Sequence, residues 1–85
     1  MREVTHTIRD ELGLHARPAG MLVKTVAPFS CAIEIDADGK KADARRLMAV
    51  MRLAAKKGTR LTFSLDGEDE AAAEQALQTF LWENL

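Results

Sequence analysis

Cysteine is nearly absent: Cys31 stands alone, so no internal disulfide can form, which fits a reducing compartment. An excess of one charge is absent too. Twelve basic residues face 13 acidic ones for a formal net charge of −1, and a general nucleic-acid binder would carry a strong basic surplus. No apolar run reaches membrane-spanning length, and the stretch Met1-Arg2-Glu3-Val4-Thr5-His6 lacks the apolar core of a signal peptide. Nothing in the chain sets His, Cys and carboxylate side chains at metal-ligand spacing, and no cofactor is expected. Repeats, linkers and low-complexity stretches are missing as well. These absences predict a cytoplasmic monomer that neither enters the membrane nor binds nucleic acid. The 85 residues are expected to form one domain, 1–85, and 47% apolar residues supply one core.

What is present is strong periodicity. Val4, His6 and Ile8 alternate with Thr5, Thr7 and Arg9, as on a half-buried strand. Cys31, Ile33 and Ile35 line a second strand, with Glu34 and Asp36 pointing away. Asp38-Gly39 is a two-residue hairpin turn whose central positions want φ > 0, so Lys40 to Asp43 should form a third strand paired with the second. Leu61, Phe63 and Leu65 mark a fourth. Helical spacing fills the gaps. One helix is expected from Ala16 to about Ala27, with Ala19, Leu22, Val23 and Val26 as its apolar stripe and Pro28 ending it. A second is expected from about Arg45 to Lys56, stopped by Gly58, and a third from near Gly67, with Glu68, Asp69 and Glu70 in its first turn. The third would bury Ala73, Ala76, Leu77, Phe80 and Leu81, and Trp82 would anchor its last turn. His6 is expected to be a partly buried structural histidine near the sheet edge, and Cys31 a small core residue. The order β-α-β-β-α-β-α predicts an α+β fold, one antiparallel sheet with helices on a single face.

The octet Gly13-Leu14-His15-Ala16-Arg17-Pro18-Ala19-Gly20 carries the chemistry. Pro18 in the first turn suits a helix start, where N–H groups lack intrahelical partners. Those free amides and the positive end of the helix dipole make an anion site. His15 stands at that site, and imidazole is nucleophilic near neutral pH. Arg17 can add charge-assisted hydrogen bonds. Reversible phosphorylation of His15 is the chemistry expected, with Arg17 stabilising the phosphate. Pro18 would set the helix start, and Gly13 would let the loop turn sharply and leave His15 open to large partners.

Together with the near-N-terminal position of the octet, these residues resemble the active-centre motif of the HPr family, the histidine-containing phosphocarriers of the bacterial phosphoenolpyruvate-dependent phosphotransferase system. The resemblance continues through Asp38-Gly39-Lys40, Leu47-Met48-Ala49-Val50-Met51, Lys57-Gly58 and Gly67-Glu68-Asp69-Glu70. It implies an open-faced β-sandwich with strand order 1-4-2-3 covered by three helices. It further implies a carrier rather than an enzyme, phosphorylated on His15 Nδ1 by enzyme I and donating to enzyme II components. Sequence alone does not choose between the ring nitrogens.

The second helix is apolar nearly all round, more than a helix lying on a sheet can bury. With Val50 and Leu53 facing the core, Leu47, Met48 and Met51 would form an exposed, adaptable patch. In the family, the matching residues contact enzyme I and enzyme II. Arg45, Arg46, Arg52 and Lys24 would fringe that patch with positive charge. Arg46 stands where HPr proteins commonly carry a serine that a dedicated kinase phosphorylates in some bacteria, so that control branch should be absent here. The change also removes an N-cap worth about 1 kcal/mol, and Asp43 could cap instead and start the helix a turn earlier. Leu12 replaces a residue that is polar in many sugar-system members and resembles the nitrogen-related branch. Two alternatives therefore stand beside the sugar carrier: a regulatory, nitrogen-type carrier, and a non-covalent anion-binding domain.

Overall fold

A computed structural model describes residues 1–85. The elements run β1 (Arg2–Thr7), α1 (Ala16–Val26), β2 (Ala32–Ala37), β3 (Lys40–Asp43), α2 (Leu47–Arg52), β4 (Arg60–Asp66) and α3 (Glu70–Asn84). The four strands form an antiparallel sheet in the order β1-β4-β2-β3. The α+β layering is the one the periodicity predicted, and the open-faced sandwich with this strand order is the one the resemblance implied.

Alternation along each strand becomes rows across the sheet. Val4 pairs with Phe63, Phe63 with Ile35 and Ile35 with Ala42, giving one buried row on the helix side. The row one residue along, Thr5, Thr62, Asp36 and Lys41, is polar and faces solvent. A one-residue slip of any strand would exchange the two faces, so apolar patterning fixes the register. Asp38 and Gly39 both have positive φ, 53° and 88°, as the hairpin turn requires. The three helices complete the core with Leu22, Val26, Val50, Leu77 and Leu81, and Cys31 is buried among them. His6 is half-buried on edge strand β1, as expected.

Helix α2 departs most from its expected length, occupying six residues rather than twelve. At its start, Asp43 does not cap it. The Asp43 carboxylate accepts the Arg45 N–H at 2.9 Å and its carbonyl accepts the Arg46 N–H at 3.0 Å, building a turn before the helix. Arg46 holds the N-cap position with no side-chain cap. At its end, the Leu53 and Ala54 N–H groups reach back only three residues, and Ala54 enters the left-handed region at φ 50°. The residues beyond serve other partners: the Ala55 carbonyl accepts from Leu14 N–H at 2.8 Å, and Gly58 N–H donates to the Ile8 carbonyl at 2.9 Å. Periodicity could not reveal those distant acceptors and donors.

Helix α3 begins at Glu70, later than expected. Asp69 sits at its N-cap without capping it. Instead its carboxylate crosses to the start of β2, accepting Ser30 N–H at 2.7 Å and Cys31 N–H at 2.9 Å. The Ser30 amide, joined by the Cys31 thiol and amide, holds the Asp69 carboxyl below the usual carboxylate range. Arg45 also turns inward: its guanidinium donates to the Val26 and Phe29 carbonyls at the C-terminal end of α1, so it does not join an exposed basic fringe. Trp82 corrects another expectation. It is 73% exposed, with the Arg9 guanidinium stacked 4.6 Å from its ring centroid, and Leu81 and Leu85 anchor the last turn in its place.

Ala54 pays for its left-handed backbone, and glycine at this position adopts it without strain. Ala54→Gly should therefore raise unfolding stability by about 0.5–1 kcal/mol, read from denaturant midpoints at unchanged slope. For Asp69, the folded-state pKa lies below the unfolded value of about 3.8. Its contribution is complete above that value and fades as pH falls through the folded pKa. Acid unfolding of Asp69→Asn should accordingly show a shallower stability loss below about pH 4 than wild type.

Candidate active centre at the start of α1

The loop before α1 is folded tightly onto the segment that leaves α2. Gly13 has φ 68°, and a Cβ built there would lie 2.4 Å from the Ala55 carbonyl oxygen and 2.8 Å from Lys56 Cα. Glycine is thus required twice, for its conformation and for the close approach. Next to it, the Leu14 N–H donates to the Ala55 carbonyl and the Leu14 side chain is buried. The loop is held from both sides before it delivers His15.

His15 occupies the N-cap of α1 in extended conformation, φ −95° and ψ −175°. Its carbonyl accepts the Ala19 N–H at 3.0 Å, closing the first helical turn. The imidazole does not cap the helix, and its side chain is 35% exposed. Neither ring nitrogen makes a hydrogen bond within the protein; an acidic neighbour stands near, Asp10, whose Oδ1 lies 3.9 Å from Nε2. The Ala16 and Arg17 N–H groups that follow have no internal acceptor, and the first turn contains no acidic residue. Pro18 is buried and has no N–H to waste. The result is a half-buried imidazole beside free amides at the positive end of an eleven-residue helix.

Arg17 is exposed, forms no ion pair, and lines with His15 an open cleft of about 230 Å³. Asp10, Met21, Glu83 and Asn84 line the same cleft, and sequence reasoning singled out none of them. Glu83 and Asn84 arrive from the far end of the chain, so no local signal could place them. The α2 patch is smaller than expected. Leu47 and Met48 are 40% and 61% exposed, but Met51 is half-buried and packs against the core. Exposed Leu12 and Met21 lie in the loop and helix around His15, giving an apolar surround to a polar centre.

Residues 2–83 match the family model described as the PTS HPr component phosphorylation site. The chain belongs to the HPr family. It is 43% identical to the phosphocarrier protein HPr of Lysinibacillus sphaericus over 83 residues, covering 98% of this chain and 94% of that protein. Over 74 residues it is 50% identical to the multiphosphoryl transfer protein of Salmonella typhimurium, covering 84% of this chain and 19% of that much longer protein. The histidine-containing phosphocarrier protein of Mycoplasma superposes with a TM-score of 0.93 at 38% identity, covering 96% of this chain and 93% of that one. The HPr fold and phosphotransferase-system membership are thereby established. No helix is long and apolar enough to cross a membrane.

Gly13→Ala should destabilise by more than about 1 kcal/mol, because the methyl group meets backbone rather than a movable side-chain end. Faster hydrogen exchange at the Leu14 amide would report the loss of its bond to Ala55, and unchanged exchange there would contradict the packing described.

Proposed function

We propose that this HPr-family chain is a phosphocarrier in which His15 accepts a phosphoryl group from enzyme I through Nδ1 and passes it to an enzyme II-type acceptor. One observation carries the reading: a solvent-reachable, unbonded imidazole, 35% exposed, at the N-cap of α1 beside the free Ala16 and Arg17 amides. Asp10 faces Nε2, which favours Nδ1 as the reacting nitrogen. In the step, the Nδ1 lone pair forms a P–N bond while the donor's bond to phosphorus breaks and the donor keeps that electron pair. The amides and the Arg17 guanidinium would meet the phosphoryl oxygens. An open cleft suits a group that must be handed on, because it stabilises the phosphate without enclosing it.

Leu47 and Met48 would supply the docking surface, with Met51 packed beneath and Leu12 and Met21 extending it around His15. Arginine at position 46 has no hydroxyl to take the phosphate that a serine kinase transfers, so regulation through a serine there is absent. The 73% exposure of Leu12 favours a second reading of the output. An apolar residue beside the centre, where many sugar-system members are polar, suits a regulatory nitrogen-type acceptor, with the chemistry at His15 unchanged.

Incubation with enzyme I and radioactive phosphoenolpyruvate should give an acid-labile, alkali-stable adduct on the wild-type chain and none on His15→Ala. Arg17→Ala should slow its formation about tenfold, the scale of a lost charge-assisted hydrogen bond. A persistent adduct on His15→Ala would reject His15 as the acceptor, and none on wild type with a cognate enzyme I would reject covalent transfer and leave non-covalent anion binding.

A further inference from the structure

Asp10 is more rigidly placed than an exposed loop carboxylate needs to be. The Arg9 and Asp10 N–H groups both donate to the Leu85 carbonyl oxygen, at 2.6 and 3.2 Å. The Asp10 carbonyl accepts Gly13 N–H at 3.0 Å, and its Oδ1 accepts Leu12 N–H at 2.8 Å. Backbone and side chain of this one residue are thus pinned between the end of α3 and the loop that delivers His15. The same Oδ1 stands 3.9 Å from His15 Nε2. That is too long for a hydrogen bond but well within the range at which opposite charges act on each other.

A neutral imidazole carries one N–H and one lone pair, and its surroundings decide which nitrogen has which. An anion beside Nε2 favours the proton there and leaves the lone pair on Nδ1. Resting on the carrier reading and deepening it, we infer that Asp10 is a positioning residue: its carboxylate keeps the proton on Nε2 and so presents Nδ1 as the nucleophile. The charge balance of transfer gives it a second role. When the Nδ1 lone pair bonds phosphorus, Nε2 keeps its proton and the ring becomes a cation, next to the fixed negative charge of Asp10. Two other charged groups face the cleft. Arg17 adds positive charge from the first turn of α1, and Glu83 adds negative charge from α3. Of the acidic side chains, only Asp10 comes within 4 Å of a His15 ring nitrogen.

Asp10→Asn separates charge from architecture, because an amide oxygen can still accept the Leu12 N–H. Asp10→Ser is a second neutral variant able to make that turn bond. The readout is the tautomer of His15 by nitrogen NMR on the histidine-labelled full chain at alkaline pH, with distant His6 as internal reference. Wild type should carry its proton on Nε2, and the population protonated at Nδ1 should rise in both variants. Phosphorylation by enzyme I should slow about two- to fivefold, the scale of a partly exposed charge interaction. Equal tautomer populations in wild type and both variants, or a wild-type ring protonated mainly at Nδ1, would overturn the assignment. The NMR readout needs no enzyme I, so failure of the carrier reading itself would appear separately, as absent phosphorylation of wild type.

Discussion

The bond from Leu14 N–H to the Ala55 carbonyl, with Gly13 pressed against the same peptide, is the constraint on which the active centre depends. It joins the loop before α1 to the segment after α2, two pieces of chain far apart in sequence. The segment can make this contact because α2 stops at Arg52 and Ala54 turns left-handed. A longer α2 would have used its carbonyls internally and left Leu14 without this acceptor. Helix length is given up to fix the loop, and the loop fixes where His15 leaves it. That is how a marginal element of six residues helps to place a side chain on another helix.

The other end of α1 is secured by charges of both signs. Arg45 donates to the Val26 and Phe29 carbonyls, where the helix ends, and Asp69 accepts the Ser30 and Cys31 amides, where β2 begins. Each charge satisfies backbone groups that a helix end or strand start would otherwise leave to water. With its exit clamped in this way and its entry held by the Gly13 contact, α1 presents the Ala16 and Arg17 amides in a fixed direction. A preorganised set of donors needs little rearrangement to meet an anion, which is the electrostatic virtue of such a site.

Much of the fold could be read without coordinates. The Asp38-Gly39 turn, the alternation of Ile33 and Ile35, and the stripe of Ala19, Leu22 and Val26 each rest on spacing over a few residues. His15 was legible in the same way, since a histidine followed by Arg17 and Pro18 marks a helix start with free amides. The errors share one cause. Asp69 looked like a first-turn acid, Arg45 like part of an exposed fringe, and Trp82 like a core anchor, because each is ordinary in those roles locally. Their partners are Ser30 and Cys31, Val26 and Phe29, and Arg9, and no pattern within a window could supply them.

Sequence by itself determined the elements and the place of His15 at a helix start, because periodicity, turn sterics and helix-start chemistry act between near neighbours in the chain. Tertiary structure alone decided where α2 ends, that Asp10 looks at Nε2, and that Glu83 and Asn84 close one side of the His15 cleft. Those outcomes depend on distances between chain segments that only the packed core sets. The core chooses them by burying apolar faces together, and the polar groups at their edges then take whichever partner lies within reach.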